Sequence, residues 1–221
     1  MSSAQRRLLI GDLADELGRA AMEFRLTYEG RLGSGQSASA QHKHDIRRVF
    51  HGQLKKLWEV HPHLIAQEAW WGGQHAAIRR PERWRPDQPF ARKDELAEHF
   101  RRGNYRFVPL VLAELQLYCD LDVLFLRPGL PGNTLNAGDI DNRIKTLFDA
   151  LKMTDGLKGT PGENEDPFYV LLEDDRLITR LSVQTDTLLQ PTGSEAGPQD
   201  ARLTITVRLS PYHTTVWNVG F

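Results

Sequence analysis

The sequence predicts an α+β fold: a mixed sheet of about four strands with helices packed on one face, plus an N-terminal helical elaboration. Three observations carry this expectation. Apolar residues recur at helical spacing near residues 8–24 and 43–58. A third amphipathic stretch, 141–152, places Ile144, Leu147, Phe148 and Leu151 at i, i+3, i+4 and i+7, giving one apolar face to dock on a sheet. Between and after these lie runs rich in Val, Ile, Leu, Phe, Tyr and Thr that read as strands.

In chain order, residues 1–23 form the expected helical extension, with Leu8, Leu9, Leu13, Leu17 and Ala21 in helical phase. Phe24, Leu26 and Tyr28 alternate with polar residues, so a short strand ends at Gly30 and a Gly/Ser-rich stretch follows to Ala40. The next helix, 43–58, has Ile46, Val49, Phe50, Leu54 and Leu57 on one face. Its other face carries Lys43, Arg47, Arg48, Lys55 and Lys56, a stripe compatible with a phosphate track or with a solvated surface. Residues 60–106 read as a Trp/Arg-rich insertion with a short helix at 94–100; the tryptophans suit base stacking or an ordinary packed cluster. Residues 106–113 and 115–126 read as strands, in one arrangement a hairpin. A loop leads into the 141–152 helix, an acidic loop spans 153–167, a strand region covers 169–187, and 201–209 is a strongly alternating final strand.

A chain of 221 residues can bury a core as a single domain. Its 40% apolar and 26% charged composition is that of a soluble protein, with no apolar run long enough to span a membrane and no secretory leader core. The one cysteine, Cys119, excludes an intramolecular disulfide framework and fits a reducing cytoplasm, as a small apolar strand residue. Net charge is −1, yet residues 1–110 hold 19 Lys+Arg against 13 Asp+Glu. The basic first half and acidic second half suit a division between phosphate and metal binding, or simply uneven surface charge.

The chemistry concentrates in DIDNRIKTLFDALK, from Asp139, and in LLEDDRLITRLSV, which holds Asp174 and Asp175. Asp141 at the helix start can cap free backbone N–H groups. Asp139, two residues upstream, shares a face with it if that segment is extended, so both side chains can converge on a cation. Lys145, one turn after Asp141, is either an i,i+4 ion pair or a cation placed at the scissile phosphate. If Asp175 opens a strand, it shares the apolar face of Leu177, Leu181 and Val183, where a lone carboxylate is costly without a partner. Asp175 is therefore the third candidate ligand and Asp174 an outer one. Clustered carboxylates suit Mg²⁺, one ion or two, which lowers the pKa of an attacking water and stabilises charge on phosphate oxygens.

These two segments resemble the signature of the RusA-type Holliday junction resolvases, an endodeoxyribonuclease family. The family pattern is Asp-x-Asp-Asn-x-x-Lys with a Phe-Asp-Ala-Leu continuation, matched by Asp139, Asp141, Asn142, Lys145, Phe148, Asp149, Ala150 and Leu151. An Asp-Asp pair opening the next strand is matched by Asp174 and Asp175. The resemblance covers residues 137–183 and implies a RusA-like fold, Mg²⁺ on Asp139, Asp141 and Asp175, and assistance from Lys145. It also implies a homodimer with two sites, cutting branched DNA. Arg143 and Lys145 beside the motif, with Arg47 and Arg48, are the expected DNA contacts. Three departures stand out: the chain is longer and nearly neutral, its loop before the Asp-Asp pair is long and acidic, and residues 60–106 have no family counterpart.

Other chemistries find less support. The pairs His42/His44 and His61/His63 lack Cys or carboxylate partners at a zinc-ligand spacing. No phosphate-binding Gly-rich motif of the Walker or dinucleotide type occurs, and no serine has the neighbours of a nucleophile elbow.

Overall fold

The computed structural model describes residues 22–34, 38–65, 92–128, 139–157, 159–190, 197, 199–213, 218 and 221. The expected N-terminal helix falls outside these residues, except that Met22–Phe24 belong to a strand instead. Most of the Trp/Arg-rich insertion is also outside them; the part described holds a helix at Arg92–His99, the two-residue strand Arg101–Arg102 and the start of the strand Tyr105–Val111.

Among the described residues seven strands form two sheets. The larger is mixed and four-stranded, as expected, in the order β1 (Met22–Arg31), β7 (Asp200–Pro211), β4 (Leu117–Arg127), β6 (Ile178–Thr187). β6 runs parallel to β4, and the other pairs are antiparallel. A second sheet, absent from the sequence reading, joins β2 (Arg101–Arg102), β3 (Tyr105–Val111) and β5 (Phe168–Leu172), with β3 and β5 parallel.

The hairpin open to residues 106–126 does not form. A 3₁₀ turn at Ala113–Leu115 and Gln116 in the left-handed region, φ 52°, redirect the chain so that β3 and β4 join different sheets. Burial explains the split. β3 and β5 are apolar and buried almost throughout, as parallel strands covered on both faces must be. β4 and β7 alternate, burying Leu117, Cys119, Leu121, Val123 and Phe125 against Leu203, Ile205, Val207 and Leu209. Their outer face carries a row of cross-strand charges: Glu23 with Arg208 at 2.7 Å, Arg208 with Asp122, and Arg180 with Asp122 and Asp120 at 3.5 and 3.9 Å.

Helix α1 (Ala40–Val60) extends the expected helix at both ends. Ser39 caps it, its hydroxyl accepting from the His42 N–H at 3.1 Å, an arrangement worth about 1 kcal/mol. Ile46, Phe50, Leu54 and Trp58 are almost fully buried, each contributing roughly 1.5–3 kcal/mol by removal from water. α1 packs against β1, β5 and α3 (Asp139–Leu151), so it ties the two sheets together. The short α2 (Arg92–His99) lies on β3, near the place where the sequence predicts a helix.

Among the described residues no helix is long and apolar enough to cross a membrane.

Candidate functional site

α3 starts at Asp139, two residues earlier than expected. Asp139 is therefore helical, and residues two apart on a helix do not share a face, so the extended-segment argument for bringing it onto Asp141 does not hold. The side chain of Asp139 is outside the described part. Ile144, Leu147, Ala150 and Leu151 are buried, and so are Thr146 and Arg143. The broad buried face leaves one polar stripe at i, i+4, i+8 and i+11: Asp141, Lys145, Asp149 and Lys152. Asp141 and Lys145 at its start are exposed, and among the described residues neither takes part in an ion pair.

At the other end of the stripe the charges are engaged. Lys152 Nζ lies 2.7 Å from Asp175 Oδ2 and 3.5 Å from Asp149 Oδ1, while Lys43 Nζ meets Asp149 Oδ2 at 2.7 Å. Burial pulls the Lys152 ammonium down, but the two carboxylates more than offset this and its pKa is raised.

Asp174 and Asp175 do not open a strand. They form the turn between β5 and β6, where Asp174 caps a 3₁₀ turn at Asp175–Leu177 and β6 begins only at Ile178. The strand-phase argument for Asp175 fails with that change; its half-buried position comes from the turn packing on α3. Leu181, expected on a packed face, is 41% exposed because β6 is an edge strand. Asp174 accepts from the Arg176 N–H at 2.9 Å and from its guanidinium at 2.8 Å, which together hold its carboxyl below the usual range. Beside this turn lies a polar groove of about 420 Å³, with Arg102, Lys152, Thr154, Glu173, Asp174 and Arg176 in its wall.

The expected DNA contacts divide. Lys145 is exposed. Arg143 is buried, at 5% exposure, and does not stand on the surface. Arg47 is also buried, not on a solvated stripe: it donates to the backbone carbonyls of Asp149 and Lys152, filling the orphan acceptors at the C-terminus of α3. Burial pulls its pKa down to about 10, with the Asp149 carboxylate opposing. Arg48 is half-exposed, and its Nε lies 2.5 Å from Glu165 Oε1.

That pair also accounts for the long acidic loop, which is fastened to α1 and β3. Glu165 accepts from Arg48 and from the Gly162 N–H at 2.8 Å. His51 Nδ1 accepts the Tyr169 N–H at 2.8 Å, so the ring is the neutral tautomer whose Nε2–H donates to the Asn164 carbonyl at 3.0 Å. Arg106 grips Asp166 with two hydrogen bonds of 2.8 and 3.0 Å. The acidic side chains Glu165 and Asp166 are thus structural partners of arginines.

Cys119 is fully buried in β4, and burial pushes its thiol up to about 12, consistent with an inert apolar role. Among the described residues no three His, Cys, Asp or Glu side chains gather as a metal site. Sequence reasoning places Lys43 on a basic stripe and not on Asp149, and it gives neither Lys152 as the partner of Asp175 nor the turn conformation of Asp175. The Lys152 signal was present, since Asp141, Lys145, Asp149 and Lys152 continue one helical phase. No protein family, curated protein or solved structure matches the chain.

Proposed function

We propose that the protein is a Mg²⁺-dependent endodeoxyribonuclease acting on branched DNA, in the manner of the RusA-type resolvases that its motif resembles. The observation that carries this reading is the pair Asp141 and Lys145, exposed one turn apart at the start of α3 and unengaged among the described residues. A helix N-terminus favours anions, so a DNA phosphate approaching there meets both the helix dipole and the Lys145 ammonium.

The donor set fits a hard cation by its chemistry, since every candidate ligand is a carboxylate: Asp139, Asp141, Asp175 and the outer Asp174. Mg²⁺, when bound, supplies an activated water and charge stabilisation on the phosphate. Asp175 stands at the opposite end of α3 from Asp141, paired with Lys152 and close to Asp149, so an ion it holds is a second one, taken in exchange for the Lys152 contact. Lys145 steadies charge developing on the phosphate oxygens. Arg102, Lys152 and Arg176 in the groove wall offer further cations to a backbone passing Asp174. The active unit would be a homodimer, as the resemblance implies, in the reducing cytoplasm that the single cysteine fits.

A second reading is a binding module that keeps the fold without catalysis. It is favoured by the cations already seated on two candidate ligands, Lys152 on Asp175 and Arg176 on Asp174. One experiment separates the two. Four-way junctions, flaps, duplex and single strands are incubated with protein in Mg²⁺ or chelator, beside Asp139→Asn and Asp141→Asn. Cleavage of branched substrate in Mg²⁺, lost in both variants with folding intact, supports the nuclease. Branched DNA bound but uncut, with no Mg²⁺ binding by calorimetry, supports the module.

A further inference from the structure

β6 closes one side of the four-stranded sheet, and among the described residues no strand pairs with its outer edge. Such an edge is a row of open N–H and C=O groups, which native proteins usually guard with proline, lysine or a bulge. β6 (ITRLSVQTDT) has ten residues, no proline and no lysine, and its one irregularity, the extra residue Thr179, lies at its start, before the regular register from Arg180 to Thr187. Its inward phase carries Leu181, Val183 and Thr185, which continue the core stripe of Leu121, Val123 and Phe125 on β4. Yet Leu181 remains 41% exposed, so the apolar stripe runs to the sheet edge uncovered. The outer phase continues the charge row, which alternates acid and base from Glu23 through Arg208 and Asp122 and stops on a base, Arg180.

We propose that β6 pairs antiparallel with β6 of a second copy, centred on Val183, making one continuous eight-stranded sheet. In this register Val183 faces itself across the two-fold axis, and residues whose numbers sum to 366 are opposite one another. Leu181 then faces Thr185 and Ser182 faces Gln184, both within their own phase. Arg180 faces Asp186 twice, once on each side of the axis, so the charge row crosses the boundary without a like-charge contact. Moving the centre by one residue loses this: centred on Ser182, Arg180 faces Gln184 and Asp186 faces Ile178. The family resemblance implies two copies but no surface; the strand supplies one, independently of the nuclease reading.

The test is sedimentation equilibrium of the full chain, with thermal melts to verify folding. The wild type should give a dimer. Val183→Lys, which sets two ammonium groups against each other on the axis, should raise the dissociation constant at least about tenfold. Asp186→Arg, which sets a guanidinium opposite Arg180 on each side of the axis, should also weaken the dimer. Val183→Cys should form a dimer-sized disulfide species on mild oxidation. A wild type that stays monomeric at about 100 µM, toward the weak end of the affinity scale, overturns the proposal. So does a dimer that Val183→Lys and Asp186→Arg leave unchanged.

Discussion

The ammonium of Lys152 lies 2.7 Å from a carboxylate oxygen of Asp175, so the third candidate ligand already carries a cation. The contact joins the last turn of α3 to the turn between the two sheets. It also sits far along the helix from Asp141: eleven residues at 1.5 Å each separate Asp141 from Lys152, roughly 16 Å of axis. Either Lys152 competes with metal for Asp175, or Asp175 is a structural partner of the helix end.

Lys152→Gln distinguishes these roles. If the nuclease reading holds, removing the ammonium exposes Asp175 and Asp149 to a divalent cation, and Mg²⁺ affinity by calorimetry should rise about three- to tenfold, the loss of a competing half-buried charge. Stability should fall by no more than about 1 kcal/mol, because both partners remain partly solvated. Unchanged or weaker Mg²⁺ binding would assign the pair to structure alone.

Arg47 presents the opposite case, a charge with no solvent to return to. It satisfies two carbonyls at the end of α3, and the helix dipole there favours a cation. Arg47→Ala removes both hydrogen bonds and leaves buried acceptors unpaired, so urea unfolding should show a loss of about 2–4 kcal/mol. Arg48→Ala, one residue on and half-exposed, should cost about 1 kcal/mol or less despite its ion pair. Equal costs would contradict the burial difference between the two arginines.

The contrast shows which features could be read in the sequence. Helical periodicity is local, so α1 and α3 lie close to their expected ranges, and the alternation of 201–209 marks β7 equally well. Sheet membership is not local. β3 and β4 are near neighbours in the chain, yet β3 belongs with β5, some sixty residues later. Continuous burial in β3 against alternation in β4 was the available clue to two sheets. Arg47 looked like a member of a basic stripe because the carbonyls that it satisfies belong to another helix. Asp175 departs from expectation for a related reason. The strand pattern after it is genuine, but Asp174 caps a turn first, so β6 starts three residues beyond Asp175.

Lys145→Ala should leave the fold almost untouched, since the side chain is exposed and has no ion pair among the described residues. Surface changes of this kind typically shift stability by less than about 0.5 kcal/mol. Its expected effect is on cleavage: a fall of about 10²–10³-fold in turnover with Mg²⁺ binding retained, the pattern of a lost charge stabiliser. Asp141→Asn should lose Mg²⁺ binding along with turnover. A Lys145→Ala enzyme with wild-type turnover would remove that residue from the site.

Acid sensitivity near neutrality should come from the histidines of α1 and its end. Burial lowers the pKa of His42, His44, His51 and His61, with nearby arginines adding to the effect at His42 and His44. His51 has a clear structural cause, because its Nδ1 already accepts the Tyr169 N–H and a proton there would break that bond. Both ring nitrogens of His44 are buried without a hydrogen-bond partner among the described residues. A base whose folded pKa lies below its unfolded value binds fewer protons when folded, so stability rises with pH across that interval. The contribution is complete above the unfolded histidine value near 6.5 and is lost as pH falls from there toward the folded values. Carboxylates held low, such as Glu98, Glu165 and Asp174, act only below their own unfolded range near 4–4.5. The window from pH 7 to 5.5 therefore belongs to the histidines. Urea midpoints at pH 7.5, 6.5 and 5.5 should fall steadily, by up to about 1.4 kcal/mol per pH unit for each proton excluded. His51→Gln should flatten that slope while lowering stability at pH 7.5; a slope unchanged in this variant would place the sensitivity elsewhere.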